Sequence, residues 1–141
     1  MRRIHPEGLH PTPGYSHVTV VAAGPTAYLS GQCPLDTEGR LVGEGDVLTQ
    51  TDQVVANALR ALAAAGAGPS DVVRTVVHVL TSDRTTLDAV WERLRGSALG
   101  PALTSAATLL GTSALGYPGQ LVEVDLTAAL PEARPTPDNT R

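Results

Sequence analysis

Gly116-Tyr117-Pro118-Gly119-Gln120-Leu121-Val122-Glu123-Val124-Asp125 is a turn running straight into a strand. In Pro118-Gly119, proline pre-sets φ and glycine accepts a positive φ. From Leu121 the residues alternate. Val122, Val124, Leu126 and Ala128 fall on one face, and Leu121, Glu123, Asp125 and Thr127 on the other. Two carboxylates two residues apart on a strand share a face at a spacing of about 7 Å. The apolar face calls for a layer of helices. The acidic face calls for water, a ligand pocket or a partner subunit.

Working outward, 141 residues make one domain with enough chain to bury a core. The core material is Ala, Val and Leu; there is no Phe, and aromatics reach only 3%, so helices can lie close to a sheet. Net charge is −4 and the ten basic residues are scattered, which leaves no electrostatic footprint for nucleic acid. No apolar run reaches membrane-spanning length. Two arginines near Met1 are followed by no apolar stretch, so nothing reads as a secretory leader. The single cysteine, Cys33, has no internal disulfide partner. A cytoplasmic setting is expected.

Residues 1–14 carry three prolines and two glycines and read as an irregular arm. Tyr15 to Ala23 alternates as a strand. Gly24-Pro25 is a turn, and Ala27 to Ser30 continues as a second strand, predicting a hairpin. Gly31 at the strand end marks close approach by a backbone or ligand. Arg40-Leu41-Val42 predicts a further short strand. Asp46 caps a helix starting at Val47 and stopped by Gly66, with an apolar stripe of Leu48, Val55, Leu59 and Leu62 widened by Val54 and Ala58. Val72 to Leu80 is rich in β-branched residues and predicts a strand. Ser82 or Thr85 caps a second helix that ends at Gly96. Another strand closes the stretch Pro101 to Leu110. The tail, 131–141, is proline-rich and polar, so disorder is expected. The sum is a two-layer α+β domain with two helices on one face of a mixed sheet. The helix-free face is expected to be an oligomer surface.

Glu123 is the best acid/base candidate, since a carboxylate facing a subunit junction can be desolvated and hold a water. Cys33 has no histidine adjacent in sequence, although His17 would lie near it across the predicted hairpin; a structural cysteine is the expectation. The four histidines show no zinc spacing, and no glycine loop precedes a helix as phosphate binding requires. No metal and no cofactor is expected.

Several segments together resemble the Rid family, the reactive intermediate deaminases also called YjgF-like proteins. They are Gly14-Tyr15-Ser16-His17, Tyr28 to Asp36 through Gly31-Gln32-Cys33-Pro34, the first helix from Thr49 through Asn57 to Gly66, Asp71 to Val77, and Leu121 to Asp125. The match spans residues 15–130. The resemblance implies a fold similar to chorismate mutase and a homotrimer whose open sheet faces form a central barrel, with a small-molecule cleft at each subunit junction. It implies hydrolysis of enamines and imines such as 2-aminoacrylate, with an arginine in a Pro-Ala-Arg setting holding the substrate carboxylate. Counting back from Glu123 puts that arginine at Ala107, before Thr108 and Leu109; aligning on Pro101-Ala102 puts it at Leu103. Neither side chain replaces a bidentate guanidinium.

By the same resemblance Tyr15 is the pocket tyrosine, Gly31 a backbone donor and Glu123 the water-positioning acid. Ala107, Thr108 and Leu109 fall at substrate-binding positions. The expectation is a small-molecule enzyme acting on an imine, enamine or related intermediate, weak on 2-aminoacrylate itself. The alternative is a non-catalytic ligand-binding or regulatory trimer.

Overall fold

The computed structural model describes residues 1–131, so all but the first residue of the tail expected to be disordered lies outside the described residues. Eight elements follow one another: strand β1 (Arg2–Ile4), β2 (Val18–Val20), β3 (Thr26–Tyr28), helix α1 (Val47–Ala64), β4 (Val72–Leu80), α2 (Arg84–Arg95), β5 (Ala106–Thr112) and β6 (Val122–Ala129). The main sheet runs β3-β6-β4-β5, and β1 and β2 form a separate antiparallel ribbon. β4 and β5 are parallel, joined by the α2 crossover; the other pairs are antiparallel. The α+β architecture with two helices on one face is the one expected.

The alternation read in β6 is obeyed at every position. Val122, Val124, Leu126 and Ala128 are buried, while Leu121, Glu123, Asp125 and Thr127 are only half-buried on the helix-free face. On β4, a bulge between Val72 and Arg74 resets the register. Val72 is buried before it, and Thr75, Val77 and Val79 are buried after it. Arg74, Val76 and His78 are thereby turned to the open face. Val54, Val55, Ala58 and Leu62 of α1 and Val90, Trp91 and Leu94 of α2 complete the core.

Both helices start on an aspartate. Asp46 accepts from the backbone N–H of Leu48 and Thr49, as expected. For α2 the cap is Asp83, which accepts from Thr85 N–H, and neither Ser82 nor Thr85 takes that place. Gly66, with φ +80°, ends α1 in the left-handed conformation that its missing Cβ allows. Gln50 is fully buried on α1 although it is polar. Its amide donates to the carbonyls of Gly43 and Gly119 and accepts from Leu121 N–H, which fastens the turn before β6 to the helix.

Three local expectations are corrected. The hairpin does not form: β2 pairs with β1, inside the supposedly irregular arm, and β3 pairs with β6. Beyond β3 the chain keeps following β6, with Leu29 N–H donating to Leu126 C=O and Gln32 and Val124 exchanging both backbone bonds. That long ladder satisfies more backbone groups than a three-residue β2 can. Of the predicted strand Tyr15 to Ala23, only Val18–Val20 is a strand. Residues Arg40–Val42 make no strand either: a single bridge joins Leu41 to Leu35, and the Asp36 carboxylate closes the turn by accepting from Glu38 and Arg40 N–H.

Candidate functional site

The open face concentrates its chemistry where β6 is flanked by β4 and by the Gly31 segment. His78 lies directly opposite Glu123 in the β4–β6 register, and Asp125 lies opposite Val76. The His78 Nε2 is 3.1 Å from an Asp125 carboxylate oxygen. The Cys33 thiol donates to Glu123 Oε1 at 3.1 Å, and the Gln120 amide reaches the same oxygen at 3.5 Å. One oxygen of Glu123 is thus held from the side, and among the described residues Oε2 has no hydrogen-bond partner.

Gly31 explains how so much fits. A Cβ built there would stand 2.6 Å from Glu123 Cδ, 2.7 Å from Glu123 Oε2 and 2.8 Å from Asp125 Oδ1. Both carboxylates therefore lean over the space that a side chain at 31 would fill. The loop beyond is pinned from α1: Asn57 Nδ2 donates to the carbonyls of Cys33 and Leu35, and Gln53 supports Asn57. Next to it lies an open groove of about 390 Å³, bordered by Gly31, Cys33, Asn57, Arg60 and Tyr117 among others.

Cys33 is not set up as a nucleophile. Burial, then its hydrogen bond to Glu123, pushes the thiol from an ordinary value of 9.0 to about 11. Its partner is a carboxylate. His17, expected nearby, instead packs its ring against His10 and meets the His10 carbonyl at 2.8 Å, because the hairpin that would have carried it to Cys33 is absent.

The remaining expected residues gather elsewhere. Tyr15, Ala107 and Leu109 line one cavity of about 270 Å³ together with Pro13, Asp88 and Trp91. Ala107 and Leu109 pair with the buried Thr75 and Val77, so this cavity lies on the helix side of the sheet. Tyr15 stands edge-on to Trp91, and its hydroxyl is 2.9 Å from His10 Nε2. Thr108, between Ala107 and Leu109, points the other way and accepts from the Arg74 guanidinium at 2.7 Å. Leu103, the other position aligned with the arginine, is buried in the core. Within one chain, then, Gly31 and Glu123 stand together, Tyr15, Ala107 and Leu109 stand together, and the two groups occupy opposite faces of the sheet.

Sequence reasoning put Asp125 on the face of Glu123 but missed His78 as their neighbour. Strand parity alone places Asp125 beside Glu123. Finding His78 there required the β4–β6 register and the bulge, which no local pattern announces.

Comparison with known proteins agrees with the fold. The family model described as Endoribonuclease L-PSP matches residues 7–130. The crystal structure of YyfB from Yersinia pestis, described as a protein of unknown function of the conserved Rid family, is 37% identical with a TM-score of 0.83, covering 92% of this chain and 98% of that one. Protein DfrA of Myxococcus xanthus is 40% identical over 65 residues, 46% of this chain and 50% of its own length. A RutC family protein of Sulfurisphaera tokodaii is 36% identical over 69 residues, 49% of this chain and 55% of its own. The chain thus matches about half the length of these curated relatives. Among the described residues no helix is long and apolar enough to cross a membrane. With nearly its whole length matched by the family model and its fold matched by a Rid structure, the chain belongs to the Rid, or YjgF, family.

Proposed function

We propose that the protein is a small-molecule hydrolase acting on an imine, enamine or related reactive intermediate, with Glu123 handling the water. The observation that carries this reading is the setting of Glu123. It is half-buried on the open face, held at Oε1 by Cys33 and Gln120, with Oε2 over the gap left by Gly31. A carboxylate so fixed can take a proton from water as the oxygen attacks the C=N carbon, then return it to the departing nitrogen. The products are a carbonyl compound and ammonia or an amine. A homotrimer that brings open faces together would set the Glu123 group of one subunit against a neighbour, in keeping with the expected cleft.

Neither Ala107 nor Leu103 offers a guanidinium, so 2-aminoacrylate, whose carboxylate needs an anchor, is expected to be a poor substrate. Losing a charged hydrogen-bonding anchor costs about 2–5 kcal/mol in comparable interfaces. Arg60, on the rim of the groove beside Gly31 and Cys33, is the cation available to an anionic substrate there. A ribonuclease role, as the family model's description words it, is disfavoured by the acidic pair on this face and the net charge of −4.

The test is ammonia release from a panel of imines generated in situ, with wild-type and Glu123→Gln protein, beside sedimentation analysis. Acceleration by the wild type, lost in the still trimeric variant, supports the reading. Saturable ligand binding with no acceleration on any imine favours the second reading, a non-catalytic binding trimer. A monomer at micromolar concentration removes the inter-subunit cleft from either.

A further inference from the structure

We propose that His78, Glu123 and Asp125 form a binding site for one divalent transition-metal ion of the zinc class on the open face of the sheet. The three side chains each offer a ligand atom, and those atoms all lie within 4.8 Å of one another. Bonds of about 2.0–2.2 Å around a metal set neighbouring ligand atoms about 3–3.5 Å apart. The His78–Asp125 separation of 3.1 Å already has that value, and small side-chain rotations bring in Glu123.

Three further observations point to a cation. Glu123 Oε2 and Asp125 Oδ1 converge over Gly31, at 2.7 and 2.8 Å from the place a Cβ would take. The other oxygen of Glu123 is fixed by Cys33 and Gln120, the kind of outer support that aims a ligating carboxylate. Among the described residues neither Glu123 nor Asp125 forms an ion pair with lysine or arginine, so the two carboxylates share one face without such a partner. A dication relieves both at once. The ligands stand on paired strands, which hold their spacing better than loops do. An imidazole with two carboxylates suits zinc or manganese and disfavours magnesium and calcium, which select all-oxygen sets. Three protein ligands leave a position open for water.

This site shares Glu123 with the hydrolase reading but does not rest on it, because the test uses no substrate. Chelator-stripped protein is titrated calorimetrically at neutral pH with zinc chloride, and separately with magnesium chloride. One zinc per chain with a dissociation constant of about 10 μM or tighter is expected, with no magnesium heat at millimolar concentration. His78→Gln and Asp125→Asn, each checked for native circular dichroism, should weaken zinc by about tenfold or more. A His10→Ala/His17→Ala variant removes the other imidazole cluster and should bind as the parent does. Zinc binding that survives in both strand variants but vanishes in the His10/His17 variant overturns the proposal. So does the absence of zinc binding up to about 100 μM. Should Asp125→Asn not fold, His78→Gln alone decides by the same criterion.

Discussion

Strand β6 carries two different faces in one eight-residue stretch. Every even position from Val122 to Ala128 is at most 2% exposed and packs under the helices. Every odd position from Glu123 to Ala129 is half-buried on the face without helices. The first face is decided by packing, since removing apolar area from water is enough to fix it. The second is decided by partners: a carboxylate held by a thiol, a carboxylate beside an imidazole, a glycine that makes room for both. One strand thus separates what holds the fold from what is free to act.

The sharpest way to break that contrast is to shorten one residue on each face. Leu126→Ala, on the helix side, is expected to lose about 2–5 kcal/mol of stability, as buried leucine truncations do. Thr127→Ala, its neighbour on the open side, should stay within about 0.5 kcal/mol of the parent. Denaturant melts of the two variants decide it, and equal losses would show that the open face is packed as tightly as the covered one.

The second test reads the chemical character of the open face through Cys33. A thiol raised to about 11 holds about 100-fold less thiolate at pH 8 than an ordinary cysteine near 9.0. Alkylation by iodoacetamide at pH 8 should be slower than in urea by that order and rise with pH until about 11. Glu123→Gln should speed it, because it removes a negative neighbour. A fast reaction with a midpoint below pH 9 would mean that Cys33 is an activated thiol after all.

The smallest effect is expected on the outer surface of the helix layer, where Arg93 of α2 grips Asp52 of α1 with two bonds of 2.8 and 2.7 Å. The hydrogen bonds from Arg93 hold the Asp52 carboxyl below the usual range. A depressed carboxyl contributes stability above its unfolded pKa, and that contribution fades as pH falls through its folded value. Both groups are about half exposed, so the pair is weak. Asp52→Asn should lower Tm by no more than about 2 °C at pH 7 and leave it unchanged at pH 2. A larger drop would show that the helices depend on this pair more than on their buried residues.

What could be read from the chain follows the same division. The covered face was legible because strand and helix periods expose it: Val122 to Ala128 and Val54, Val55, Ala58 and Leu62 of the α1 stripe lie where their patterns put them, and Val72 to Leu80 is the strand that its β-branched residues predict. Gln50 was not legible, since a buried glutamine makes sense only once Gly43, Gly119 and Leu121 surround it. The hairpin expectation failed because Gly24-Pro25 carries turn chemistry whichever strand pairs next, and β6, about a hundred residues later, offered the longer ladder. On the open face, Glu123 could be singled out from alternation and resemblance. Its partner Cys33, and His78 beside Asp125, depend on strand register, a long-range property that local sequence does not encode.

The strand order has a consequence for the birth of the molecule. In β3-β6-β4-β5 the last described strand occupies an interior place, between one strand from the first quarter of the chain and one from its middle. Until β6 emerges from the ribosome, β3 has no neighbour in the sheet, β4 has an open edge, and α1 lacks the apolar row it rests on. Such a chain closes its core only once β6 has been made, since distant pairings must wait for both partners. A product stopped before Val122 would present a bare strand edge and uncovered valines, the surfaces on which nascent chains aggregate.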